Sequence, residues 1–321
     1  MTSPESRDDE YRGSKNWEGL LKSTEEPEAW DPGFRAFLIK YGMLNHVAYD
    51  VFLERPPGIK SGRLGLSRYG DDLEAFTKGL IFKYQDIKGN VRTEYDFTND
   101  YKVVANIIGS PEVFCQEEEN FFGFVAISSD KKEMVIVFRG TLTRKEWGEN
   151  VNFPLVTFDE DKGVSSDQNL MVHRGFQQIY MEHGETAVSP RATIRECLRE
   201  HIPNGVEKIL IVGHSLGAAL AMMAGFDIVH NRATINPATG EAVPVTLISW
   251  AAPRMGNAAV AELANSYFPK LRHLRVCNPN DIVPKVPPRG LISSLFNLNL
   301  FYTHWGTEFK ILNNKLHALD P

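Results

Sequence analysis

Residues 208–229 read KILIV-GHSLG-AALAMMAGFDIV, and no other stretch limits the fold so sharply. A short apolar run meets Gly213-His214-Ser215-Leu216-Gly217, and a run with strong helical patterning follows. A strand that enters a helix through Gly-x-Ser-x-Gly passes so close to that helix that the flanking positions need glycine, and the serine is held in a strained conformation with Oγ pushed out of the fold. The helix N-terminus supplies backbone N–H groups and a positive dipole end. Ser215 is therefore a candidate nucleophile, and the N–H of Leu216 a candidate donor to an oxyanion. The alternative is a Gly-rich strand-to-helix turn in which Ser215 is an N-cap. His214 is expected to face the sheet as a hydrogen-bonded core residue, because a charge there would be costly.

The surrounding pattern supports a layered fold. Residues 245–250 (VTLISW) and 272–277 (RHLRVC) read as buried strands, and 121–128 and 133–138 as two β-rich runs about an Asp130-Lys131-Lys132 turn. Residues 172–187 and 189–201 read as helices, the second opening on a Ser189-Pro190 cap and first-turn pair. The order strand, helix, strand, helix, strand predicts an α/β fold with a mostly parallel central sheet flanked by helices. Upstream, Phe37, Leu38, Tyr41, Leu44, Val47, Ala48 and Val51 recur at helical spacing, predicting one or two amphipathic helices over 33–53. The stretch around 55–70 reads as loop. Residues 1–14 read as a disordered polar tail, and 15–321 as one domain in which 15–100 form an N-terminal helical layer.

Composition excludes several classes. The net charge of −6 gives no basic face for nucleic acid. No stretch reaches 18 apolar residues, so no membrane span is expected. The first residues, MTSPESRDDEYRGSKN, lack the apolar region of a secretory leader. Cys115, Cys197 and Cys277 form no C-x-x-C pair and are odd in number, which favours a reducing compartment and a cytoplasmic location.

Other positions could complete a nucleophilic site. In MVIVFRGT (134–141) a strand ends at Phe138 and Arg139-Gly140-Thr141 turns away. On residue types alone, a turn approaching a reaction centre and a strand-end turn with a surface arginine are equally good readings. Asp281 follows a strand, in a loop stiffened by Pro279 and Pro284, at the sheet edge that carries Ser215. It fits the carboxylate that orients an imidazole, although an Asp in a turn is also common. Asp227, inside a helix, and Asp320, at the terminus, fit less well. The order Ser…Asp…His leaves only His304 and His317 as bases. His317 follows the strand candidate 309–312, whereas His304 precedes it and would lie at the wrong end of a parallel strand.

GHSLGAALA, VFRGT, AAPRMGN and NPNDIVPKVPP together resemble the class 3 lipase family, and NWEGLL, FRAFLIKYG, YDVF and SRYG resemble its plant-type phospholipase A1 branch. The resemblance spans residues 15–312 and implies an α/β-hydrolase fold. It implies that Thr141 is the second oxyanion donor, through its N–H and often its hydroxyl, and that 142–152, with Trp147, form a lid over the acyl site. It gives His173, in VHRGF, a structural role. In the family the triad histidine comes several tens of residues after a Y-x-H-x-G-x-E segment, which YTHWGTEF (302–309) matches. The chain ends before such a segment, so the expectation is a C-terminally truncated chain with weak turnover, or His317 as the base.

The resemblance implies a serine carboxylic-ester hydrolase acting on acylglycerolipids, a triacylglycerol lipase or a phospholipase A1 cleaving at sn-1. The rival readings are a lipase-like scaffold or lipid-binding protein without turnover, and a soluble esterase of small esters. Serine hydrolysis needs only water, and no metal-ligand cluster stands in the sequence, so neither cofactor nor metal is expected. The expected partners are a lipid substrate and, transiently, a lipid surface; nucleic acid is not among them, and oligomeric state is left open.

Overall fold

The strand that leads to Ser215 lies at the middle of a seven-stranded sheet. The computed structural model describes residues 32–52, 67–85, 90–109, 120–141, 154–158, 169–181, 188–287 and 301–311. The sheet contains β3 (Tyr101–Gly109), β4 (Asn120–Ser128), β5 (Glu133–Phe138), β8 (Lys208–His214), β9 (Val245–Trp250), β11 (Leu271–Cys277) and β13 (Thr307–Lys310), in the order β13-β11-β9-β8-β5-β4-β3. From β5 to β13 every pairing is parallel, and β3 and β4 extend the sheet antiparallel. The five parallel strands therefore end at one sheet edge. Register pairs Phe138 with Gly213 and His214 with Trp250, which sets the turn after β5 and the end of β9 beside Ser215.

Both faces of these strands are covered, so they read as continuous apolar runs rather than alternating ones. Helix α5 (Leu216–His230), buried along its whole length, packs on one face against Ile136, Phe138, Ile209, Ile211, Val245 and Leu247. Helix α1 (Pro32–Asp50) covers the other, where Phe37, Leu38 and Leu44 meet Val135, Val137, Leu210, Val212 and Val276. The period-two alternation of each strand thus feeds two separate cores. Helix α4 (Pro190–His201) starts as expected, with Ser189 Oγ accepting from the Ala192 N–H. The turn between β4 and β5 carries Lys131 at φ 63°, with Asp130 accepting from the Lys132 N–H.

Local patterning misled in two places. The N-terminal layer is not helical throughout: beside α1 and α2 (Leu73–Lys78) it holds an antiparallel hairpin of β1 (Ile81–Gln85) and β2 (Val91–Asp96). Phe82 of β1 is buried and meets His46 edge-on, so tertiary contact stabilises a hairpin too short to announce itself. The stretch read as one helix over 172–187 begins with β7 (Met171–His173); α3 spans Arg174–Met181, and 182–187 lie outside the described residues. Strand β7 joins a second, four-stranded sheet with β6 (Leu155–Thr157), β10 (Gly256–Asn257) and β12 (Tyr302–Thr303). Pairing with these distant segments overrides the local helical pattern.

Asp227 is structural. It is fully buried on α5, accepts from Tyr180 Oη at 3.0 Å, Arg195 Nη2 at 2.8 Å and Asn231 Nδ2 at 2.8 Å, and pairs with Arg191 at 3.1 Å. These bonds tie α3 and α4 to α5. Cys197 and Cys277 are buried free thiols, and burial pushes the Cys197 thiol up to about 12, far from a reactive thiolate. Cys115, the tail 1–14 and the NWEGLL segment lie outside the described residues. Among the described residues no helix is long and apolar enough to cross a membrane.

Candidate active site

Ser215 has φ 58° and ψ −123°, a backbone region that L-residues avoid and that costs on the order of 1–3 kcal/mol. The elbow is held from both sides. The Ser215 N–H donates to Trp250 O at 3.0 Å, at the end of the neighbouring strand. A Cβ on Gly213 would collide with the Gly217 carbonyl, and one on Gly217 with the carbonyls of Phe138 and Arg139. Both glycines are needed because strand, helix and the turn after β5 meet there. The Ser215 side chain makes no capping bond to α5, which removes the N-cap reading. The strained backbone places Ser215 at the head of the helix, directly before Leu216.

The turn after β5 runs against this elbow. A Cβ on Gly140 would stand 3.1 Å from Ser215 Cβ and 2.7 Å from His214 O. Arg139, one reading of which was a surface residue, is buried: Nε donates to Phe121 O at 2.6 Å, Nη1 donates to Gly140 O at 2.8 Å, and the guanidinium stacks 3.9 Å from the Phe52 ring centre. Thr141 ends the turn with its Oγ1 buried and without a hydrogen-bond partner. A buried hydroxyl without a partner is costly, and this one directly follows Gly140, which runs against the elbow.

Asp281 leaves the C-terminal end of β11, at the edge it shares with β8. Its N–H donates to Asn278 O at 3.0 Å and its Oδ1 accepts from the Val283 N–H at 2.9 Å. The carboxylate is thus oriented by its own loop and half-buried.

His214 departs from expectation. It is not a core residue: it lies at the solvent-facing rim, with Nδ1 2.7 Å from Tyr49 Oη. Shielding by its neighbours pushes the imidazole pKa below its ordinary value, and the Asp281 charge opposes that fall. The side chain before Ser215 therefore lies at the exposed edge within reach of the Asp281 charge, not in the sheet core. The motif alone carried no signal for that direction.

The other three histidines singled out in the sequence fall in different places. His173 is buried, stacks 4.0 Å from the Phe176 ring and accepts from the Phe176 N–H; burial pushes it down to about 4, as fits a neutral structural imidazole. His304 precedes β13, which is parallel to β11, and its Nε2 donates to Pro284 O at 2.8 Å. Burial, with Arg275 adding to it, holds His304 near 4. His304 is therefore placed before the strand, with one ring nitrogen already taken. The Ile311 N–H donates to Cys277 O at 2.9 Å, so the chain leaves β13 at the shared edge. His317 lies beyond it, outside the described residues, as do residues 142–152 with Trp147.

Two site residues were missed by the sequence reading. Asn45 Nδ2 donates to Phe138 O at 2.8 Å, and Tyr49 Oη accepts the Gly140 N–H at 2.7 Å. With Tyr41 they recur every four residues along α1, a polar thread in a face read as apolar.

A sequence profile of the family Lipase (class 3) matches residues 135–291, from β5 through the Asp281 loop. Phospholipase A1-II 4 of Oryza sativa subsp. japonica is 30% identical over 302 residues, covering 88% of this chain and 70% of that one. The chain belongs to the class 3 lipases, among relatives of the plant phospholipase A1 type. A second such relative, the chloroplastic phospholipase A1-Igamma2 of Arabidopsis thaliana, is 28% identical over 344 residues; the match covers 97% of this lipase and 61% of that protein. Among solved structures, the triacylglyceride lipase of Rhizomucor miehei is similar at 25% identity and a TM-score of 0.47, over 67% of this lipase and 68% of that chain. The family match and the sheet described above agree with the α/β-hydrolase expectation.

Proposed function

We propose that this chain is a serine carboxylic-ester hydrolase of acylglycerolipids, with phospholipid cleavage at the sn-1 acyl ester as its reaction. The observation that carries the reading is Ser215 at φ 58°, between Gly213 and Gly217, at the head of α5 and against the Gly140 turn. In this reading Ser215 Oγ attacks the acyl carbonyl carbon. The carbonyl π electrons move to oxygen, and the Leu216 and Thr141 amides, with the Thr141 hydroxyl, receive the oxyanion. An imidazole takes the serine proton and returns it to the leaving glycerol oxygen, which departs as the alcohol; water then frees the acid by the same steps in reverse. Asp281 orients that imidazole. Chain order assigns the base to a histidine after β13, and within these residues that is His317.

The phospholipid assignment draws on the names of the relatives; Ile282, 70% exposed next to Asp281, suits contact with the acyl chain of any acylglycerolipid. Residues 142–152, with Trp147, follow Thr141 directly and are proposed as a lid that opens at a lipid surface. Phosphatidylcholine with different acyl chains at its two positions provides the test. Wild type should release the sn-1 acid, faster once the lipid aggregates, and Ser215→Ala should release none. Release of the sn-2 acid alone, or of both acids by Ser215→Ala, would refute the assignment. His317→Ala should lower kcat by about 10⁴; an unchanged rate would remove His317 from the mechanism.

A further inference from the structure

We propose that Tyr49, on the N-terminal helix, is a positioning residue for the oxyanion turn; the inference rests on the hydrolase reading above and gives a role to the tyrosine of YDVF, to which the resemblance assigned none. Helix α1 carries Tyr41, Asn45 and Tyr49 at four-residue spacing, so all three lie along one flank. Each bonds a successive part of the neighbouring strand and turn. Tyr41 Oη donates to Glu133 Oε1 at 3.1 Å, at the start of β5. Asn45 Nδ2 donates to Phe138 O at 2.8 Å, at its end. Tyr49 Oη accepts the Gly140 N–H at 2.7 Å, in the turn itself. The helix is thus a rail along which β5 and its turn are set.

The last contact matters for chemistry because of peptide planarity. The Gly140 N–H lies in the peptide plane before that residue, and Tyr49 holds it. The Gly140 C=O lies in the plane after it, and Arg139 Nη1 holds that at 2.8 Å. In a trans peptide the next N–H points opposite to the carbonyl. Fixing both planes at Gly140 therefore fixes the direction of the Thr141 N–H, the proposed oxyanion donor. A glycine has no side chain to hold either plane itself, so one plane is held from within the turn by Arg139 and the other from helix α1 by Tyr49.

Tyr49 also joins the two halves of the site. Its oxygen accepts from the turn, which leaves its own proton for His214 Nδ1, 2.7 Å away. That direction suits a neutral imidazole, and the depressed His214 pKa agrees with it. One hydroxyl thus spans the turn after β5 and the residue before the nucleophile.

Tyr49→Phe removes only this hydroxyl. The expected result is a kcat lowered about 10- to 100-fold, less than the 10²–10³ lost with a whole oxyanion donor. KM should stay within about twofold, because the role assigned to Tyr49 is to hold the turn and not the substrate. Turnover is normalised to the folded fraction read by circular dichroism. Tyr41→Phe, at the far end of the same helix and remote from the turn, is the control: it too loses one hydroxyl, with its bonds to Glu133 and Tyr101, and its kcat per folded molecule should match wild type. A Tyr49→Phe enzyme with kcat within about twofold of wild type, or a loss equalled by Tyr41→Phe, would overturn the positioning role while leaving the hydrolase reading intact. A wild type that neither cleaves esters nor reacts with a fluorophosphonate would overturn both.

Discussion

Gly140 and Ser215 stand so close that a methyl group on the first would lie 3.1 Å from Cβ of the second. The same methyl would meet Tyr49 Oη and, at 2.7 Å, His214 O. No neighbour can give way cheaply, since two of the three contacts belong to the elbow. Gly140→Ala should therefore move the turn away from the serine. We expect kcat to fall at least about 100-fold, the scale of a lost oxyanion donor, with a stability cost of about 1–3 kcal/mol. Parallel kinetics and urea unfolding check it; an enzyme of wild-type kcat would show that the turn does not serve the oxyanion.

The elbow stores strain that glycine would not feel. Ser215→Gly should be more stable than Ser215→Ala by about 1 kcal/mol, because glycine reaches φ 58° without steric cost. Both variants should be inactive. Thermal unfolding of the pair measures the difference, and equal melting temperatures would mean that the serine backbone is unstrained.

Asp227 answers two guanidinium groups from full burial. Asp227→Asn keeps the shape and removes the charge. It should cost about 3–5 kcal/mol, the loss typical of breaking a buried ion pair, and leave kcat per folded molecule unchanged. Urea midpoints decide it. A loss below about 1 kcal/mol would show that the cluster is better solvated than its geometry indicates.

His173 and His304 both titrate near 4 when folded, against an ordinary 6.5. The unfolded chain takes up protons first as pH falls, so the neutral imidazoles favour the folded state fully above about 6.5. That stability is lost as pH falls towards 4, on the order of 3 kcal/mol for each ring. His173→Gln should flatten this acid limb of the stability curve; an acid limb of wild-type slope would contradict the assignment.

The elbow was legible because its cause is local. A glycine at the end of a strand and another at the start of the helix behind it leave one geometry, and Ser215 between them adopts it. Asp281 follows from a strand end, since parallel strands finish at one edge, whereas the residue types around Thr141 fitted two readings equally and only the family resemblance singled it out. The rail on α1 was not legible. Tyr41, Asn45 and Tyr49 bond partners 92, 93 and 91 residues away, and only the folded register reveals that regularity. His214 failed for a related reason. Its direction is set by a hydroxyl on another element, and a pentapeptide does not encode it.

Whether Ser215 is the nucleophile is tested most directly by covalent capture. Wild type is treated with a fluorophosphonate, digested, and the modified peptide mapped by mass spectrometry, with Ser215→Ala beside it. Phosphonylation confined to Ser215 and absent from the variant is the predicted result. Equal labelling of both proteins, or a modified residue other than Ser215, would contradict it.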